Sequence, residues 1–180
     1  MIWFLLVVAV ASLAWLVLRQ RGGKPGSAGP VVADLSILPE RFVVFDIETT
    51  GLNPDRNKII EIGAIRVNRD SNKHETFQAL IKIKGTVPAK IIELTGITTD
   101  MLKAQGEPLE TVLPQFLAFI GDLRLVSFNA PFDLGFLRQA LRQQGLRLEN
   151  PWSCALDMAR RAWPGRESYR LSELAKDGGM

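Results

Sequence analysis

The chain has 180 residues, a hydrophobic fraction of 47% and a formal net charge of +3. That length allows one domain of ordinary size with an ample core, and so small a charge gives no bulk-electrostatic sign of a nucleic-acid binder. Cys154 is the single cysteine, which excludes an intrachain disulfide; it reads as a small buried hydrophobe and is assigned no chemistry.

Residues 1–18 carry one polar side chain, Ser12, and no charge. As a helix they would span about 27 Å, close to a ~30 Å hydrocarbon core. Arg19, Arg21 and Lys24 follow at once, with no Lys or Arg before the run. A cleaved signal peptide would begin with a basic stretch, so the pattern predicts an uncleaved transmembrane anchor. The positive-inside rule then places the protein at the cytoplasmic membrane with its domain on the cytoplasmic side. Residues 19–38, basic and then rich in Gly, Pro and Ser, read as a flexible linker, and residues 39–180 as the folded domain.

Arg41–Glu48 reads as the first strand, ending at the turn Thr50-Gly51-Leu52-Asn53-Pro54. Its apolar run holds two carboxylates, Asp46 and Glu48, two residues apart. Residues i and i+2 of a strand share a face, so the two emerge side by side. At an effective dielectric of 20 and a separation of about 6–7 Å they repel by about 2–3 kcal/mol, and a divalent cation is the usual compensation. Lys58–Asn68 and Glu75–Lys84 read as a second and third strand, joined by turn residues Asp70-Ser71-Asn72 into an antiparallel hairpin.

Pro88–Leu94 predicts a short helix that stops near Gly96, and Thr98 or Thr99 can cap the turn that follows. Glu107–Ile120 carries apolar residues at helical spacing and ends at Gly121, with Pro114 predicting a kink or a late start. Arg124–Phe128 fits a short buried strand, and Pro131–Gln144 is an amphipathic helix closed by Gly145. Two further helices are expected over 153–163 and 168–176. The order β-β-β-α-β-α-α predicts an α/β fold with a mixed sheet flanked by helices. Arg138, Arg142, Arg147, Arg160, Arg161, Arg166 and Arg170 make the last part of the chain locally basic, which fits a solvated helix face as well as a phosphate track.

Asn129-Ala130-Pro131-Phe132-Asp133 is the second chemical cue. Pro131 suits the first turn of a helix, which puts Asp133 there too, where the helix dipole favours an ionised carboxylate. Set against Asp46 and Glu48 across a sheet, Asp133 is a third candidate metal ligand. All-oxygen ligation without histidine selects hard cations such as Mg²⁺ or Mn²⁺.

Phe45-Asp46-Ile47-Glu48-Thr49-Thr50-Gly51 followed by Asn129-Ala130-Pro131-Phe132-Asp133 resembles the DnaQ-like (DEDD) 3′–5′ exonucleases, the family of the proofreading subunit of bacterial DNA polymerase III. Ile60-Glu61-Ile62-Gly63-Ala64 and Leu94-Thr95-Gly96-Ile97-Thr98 are similar to that family as well. The resemblance covers residues 41–176 and implies an RNase H-like fold, two divalent metals and release of mononucleotides from a 3′ end of single-stranded DNA or RNA. It implies that Asp46 bridges the metals, Glu48 holds the one that activates water, and Asp133 completes the second site. It further implies that Thr49, Asn129 and Phe132 lie against the terminal nucleotide, though Thr49 fits a plain strand-end residue equally well and Phe132 fits core packing better. A DNA polymerase partner is compatible with the resemblance but is not legible in the residues.

The chain departs from the family's pattern at its C-terminal end. The His-type branch has an H-x-x-x-x-D motif beyond a segment like Tyr169–Lys176, and here the sequence given ends at Met180. His74, the single histidine, falls in the expected hairpin turn. Tyr169 and Glu173 have the Y-x-x-x-D spacing of the Tyr-type branch with Glu for Asp, but Leu171 and Leu174 fit the helix that precedes the His-type motif. The expectation is therefore a C-terminally truncated exonuclease domain, weak or inactive as written, since a general base contributes about 10²–10⁴-fold. The alternative is a non-catalytic nucleic-acid or nucleotide binder that keeps the pocket.

Overall fold

The computed structural model describes residues 38–71 and 73–177. Five strands form one mixed sheet: β1 (Arg41–Thr49), β2 (Ile59–Asn68), β3 (Glu75–Leu80), β4 (Arg124–Ser127) and β5 (Trp152–Cys154), in the spatial order β3-β2-β1-β4-β5. The first three make an antiparallel meander, while β4 and β5 run parallel to β1. The helices are α1 (Ala89–Thr95), α2 (Thr99–Gln105), α3 (Leu109–Ile120), α4 (Ala130–Gln143), α5 (Ala155–Ala162) and α6 (Leu171–Asp177).

Strand alternation in β1 divides the core into two layers. Val43, Phe45 and Ile47 face α3 and α4, packing with Phe116, Leu134 and Leu137. Phe42 and Val44 face the other way, onto Ala155 and Ala159 of α5 and Leu174 of α6. A smaller cluster of Ile60, Val87, Ile97 and Leu102 seats α1 and α2 against the start of β2. Arg66 ties the hairpin to α3: its guanidinium pairs with Glu75, donates to the Phe119 carbonyl and lies 4.9 Å from the centre of the Phe119 ring.

Most elements fall where the periodicity places them, with informative differences. Thr98 is the cap of α2, its hydroxyl accepting from Met101 N at 3.1 Å. Helix α3 begins at Leu109, five positions before Pro114, so the late start is not adopted. The third strand ends at Leu80, because beyond it the chain turns its hydrogen bonds to another segment: Lys82 N donates to Glu107 O at 2.8 Å. Strand β5 was expected as the start of a helix; three residues are too few to show a period, and only pairing with β4 defines them.

The membrane expectation is corrected. No helix among the described residues is long and apolar enough to cross a membrane. The longest, α4, has 14 residues, about 21 Å against a ~30 Å hydrocarbon core, and one of its faces is polar. Residues 1–18, on which the expectation of an anchor fell, lie outside the described residues. Among the described residues the fold is thus a mixed α/β domain with no helix long and apolar enough to cross a membrane, and the placement at the cytoplasmic membrane is withdrawn.

Candidate active site

The alternation that buries Phe42 and Val44 carries on along β1 to Asp46 and Glu48, which lie on the same face at the strand's C-terminal end. Both are half-buried. Directly across the antiparallel ladder, Asp46 pairs with Gly63 and Glu48 with Glu61. Opposed residues of such a ladder share a face, so Glu61 is a further carboxylate beside Glu48. It is 3% exposed, and its Oε1 accepts from Gln78 Nε2 of β3 at 2.8 Å.

Asp133 reaches the same region from α4. The β1–β4 ladder runs from Phe42↔Arg124 to Val44↔Val126 and then stops. Beyond that point Ile47 N, lacking a strand partner there, donates to Asp133 Oδ1 at 3.2 Å. Ser127 Oγ, at the end of β4, donates to Asp133 Oδ2 at 2.5 Å. Pro131 near the start of α4 lets the helix begin abruptly after the strand, which sets Asp133 in its first turn at 2% exposure.

Electrostatics bind these four residues into one site. Burial raises the pKa of Asp46 well above the ordinary carboxylate value, and Asp133, Glu48 and Glu61 raise it further by repulsion. Glu48 is raised from 4.5 to about 7 by burial, then by Glu61 and Asp133. Burial also lifts Asp133 from 3.8 to about 6, against the lowering effect of the Ser127 and Ile47 hydrogen bonds. Glu61 is raised by burial and lowered by Gln78. Carboxylates that burden one another in this way call for positive charge, and their all-oxygen chemistry suits Mg²⁺ or Mn²⁺. Among the described residues, no group of three or more His, Cys, Asp or Glu is gathered closely enough to hold a metal ion as it stands.

The other candidates are placed around this cluster with different surroundings. The Thr49 hydroxyl donates to Gly51 O at 2.7 Å, so it is spent inside the turn. Asn129 is exposed and precedes α4 without a side-chain cap bond; its carbonyl accepts from Phe132 N at 2.9 Å. Phe132 is half-buried with its ring 5.2 Å from Phe136, packed on the main core. His74 is exposed just before β3, at the end of the hairpin away from Glu61. The Tyr169 hydroxyl donates to Trp163 O at 2.5 Å and the ring packs on the α5–α6 side of the core.

Sequence reasoning missed Glu61, Gln78 and Ser127 as members of the site. Glu61 carried the same signal as Asp46, a carboxylate inside an apolar strand. Gln78 and Ser127 carried none, because their importance depends on what they touch.

A mixed five-stranded sheet with acidic residues gathered at the end of its central strand offers oxygen ligands of the kind that hard divalent cations take. The exonuclease family model matches residues 43–179, and the chain belongs to this family, the DnaQ-like 3′–5′ exonucleases. It is 43% identical over 145 residues to a PolC-type DNA polymerase III of Halalkalibacterium halodurans, covering 80% of this chain and 10% of that one. It is 36% identical over 146 residues to the DNA polymerase III subunit epsilon of Aquifex aeolicus, covering 81% of this chain and 71% of the subunit. The chain therefore spans about a tenth of the PolC-type relatives it matches and most of the epsilon subunit. Among solved structures, the zinc-bound form of E. coli exonuclease I with single-stranded DNA superposes with a TM-score of 0.67 at 21% identity, covering 78% of this chain and 35% of that one. The family is one of 3′–5′ exonucleases, which are phosphodiester hydrolases.

Proposed function

We propose that this chain shortens single-stranded DNA from its 3′ end using divalent cations held by Asp46, Glu48 and Asp133. The observation that carries the reading is the placing of Asp46, Glu48 and Glu61 at the end of β1, with Asp133 hydrogen-bonded to the same strand through Ile47 N. A pair of Mg²⁺ or Mn²⁺ ions in such a site supplies charge stabilisation at the attacked phosphate and a nucleophile at neutral pH.

The residues set the conditions for that chemistry. Asp46 pairs with Gly63 across the ladder, so no side chain stands directly opposite it. Burial thins the water around Asp46 and Asp133, which strengthens every interaction a phosphate would make there. Asp133 is fixed through both oxygens, by Ile47 N and Ser127 Oγ, so its carboxylate is oriented before any ligand arrives. Glu48, raised to about 7, takes up or releases a proton near neutral pH, and metal binding competes with that proton.

DNA rather than RNA is favoured by the single-stranded DNA of exonuclease I and the polymerases named among the relatives. A DNA polymerase is the protein partner that the same names favour. The test is a time course on single-stranded DNA and RNA oligonucleotides labelled at the 5′ end, with Mg²⁺ or Mn²⁺ and with a chelator. Stepwise loss from the 3′ end of the DNA, abolished by the chelator, is the expected result; no cleavage, or internal cleavage, refutes the reading.

A further inference from the structure

Ser127 is the last residue of β4 and is fully buried. Strand partners do not explain its hydroxyl, since the ladder to β5 pairs Ser127 with Cys154 through the backbone. The hydroxyl instead donates to Asp133 Oδ2 at 2.5 Å across the short turn into α4. Ile47 N holds the other oxygen at 3.2 Å from the side of β1. Two donors from two different strands therefore bracket one carboxylate and leave it little rotational freedom. A hydroxyl in that place also leaves each carboxylate oxygen a lone pair directed elsewhere, because an ionised carboxylate accepts at about four sites.

We infer that Ser127 is a positioning residue that orients Asp133 as a metal ligand. The inference rests on the reading of Asp133 as a ligand given above. Hydrogen-bonded partners of ligating carboxylates typically contribute about 10–100-fold in metal affinity. Ser127 is suited to that role by being small, buried and fixed on a sheet strand, while the exposed Asn129 two residues further on makes no side-chain bond to the helix start.

The test measures Mn²⁺ binding to the full chain without nucleic acid, by the loss of the free-ion EPR signal, for wild type, Asp46→Ala, Ser127→Ala and Ser127→Cys. Ser127→Ala should weaken binding by about tenfold or more, with the metal-free variant still melting cooperatively. Ser127→Cys, with a weak donor of similar size, should fall between alanine and wild type, and it carries the test where the alanine variant does not fold. Affinity lost in Asp46→Ala but unchanged in a folded Ser127 variant overturns the role of Ser127 alone. A wild-type chain that holds no Mn²⁺, or binds it as Asp46→Ala does, overturns the ligand reading and this inference together.

Discussion

The backbone N–H of Ile47 donates to Asp133 Oδ1 at 3.2 Å, joining residues 86 positions apart where the β1–β4 ladder has already ended. One carboxylate thus completes the hydrogen bonding of the central strand and belongs to the acidic cluster. The two roles separate by substitution. Asp133→Asn keeps an acceptor for Ile47 and removes a repelling charge, so the metal-free protein at pH 8 should melt at or above the wild-type temperature. Asp133→Ala leaves Ile47 N and the Ser127 hydroxyl buried without that acceptor, and about 1–3 kcal/mol of stability should be lost per group. Thermal and urea unfolding of both variants checks the contrast.

The raised carboxylates make the metal-free fold sensitive to pH in a definite direction. A folded pKa above the unfolded one means that the native state binds more protons, so stability falls as pH rises between the two values. For Glu48 that window runs from 4.5 to about 7, and for Asp133 from 3.8 to about 6. In the presence of chelator, the melting temperature should drop from pH 5 to pH 7.5, and Mn²⁺ should restore it at the upper end by binding the native state. A melting temperature that rises across this range contradicts the acidic cluster.

Glu61 is the largest charged contributor to the raised pKa of Glu48. Glu61→Gln keeps a partner for Gln78 and removes that repulsion. The pH-dependent loss of stability should become shallower, and its upper limit should move below that of the wild type. Melting curves at closely spaced pH values, with chelator present, measure both.

Phe116 is fully buried between Phe45, at 6.2 Å between ring centres, and Phe77, at 5.5 Å. Phe116→Ala should cost about 3–5 kcal/mol by opening a cavity under the central strand. Urea denaturation checks the magnitude.

Gly106 sits where the segment after β3 is laced to Glu107. A Cβ added there would lie 2.4 Å from Leu102 O and 2.8 Å from Lys82 N, both backbone atoms. Gly106→Ala should therefore destabilise by about 1–3 kcal/mol, with the hydrogen bond from Lys82 N to Glu107 O the first to be lost in hydrogen exchange.

Much of this organisation was legible in the sequence because it is periodic. The alternation of Val43, Phe45 and Ile47 against Asp46 and Glu48 announced both the strand and the acidic face, and Pro131 announced the helix start that carries Asp133. What escaped was set by pairing and contact. Glu48 meets Glu61 only through the antiparallel register, which a single sequence leaves open by a residue or more. Ser127 looked like any small residue at the end of a buried strand, and its hydrogen bond depends on the turn into α4. Trp152–Cys154 lacked the length to show a period. The apolar run of residues 1–18 gave the strongest hydropathy signal in the chain, yet it lies outside the described residues, and no described helix spans a membrane.

In the proposed function, Asp46 makes the acidic cluster a working metal centre for 3′-end hydrolysis. The most direct measurement compares the full wild-type chain with Asp46→Asn on a 5′-labelled single-stranded DNA oligonucleotide in Mn²⁺, together with melting of both proteins. Loss of several kcal/mol of charge stabilisation predicts a rate lower by about 10³-fold or more, with the variant's metal-free fold intact. Shortening of the oligonucleotide at the wild-type rate by Asp46→Asn would contradict the account.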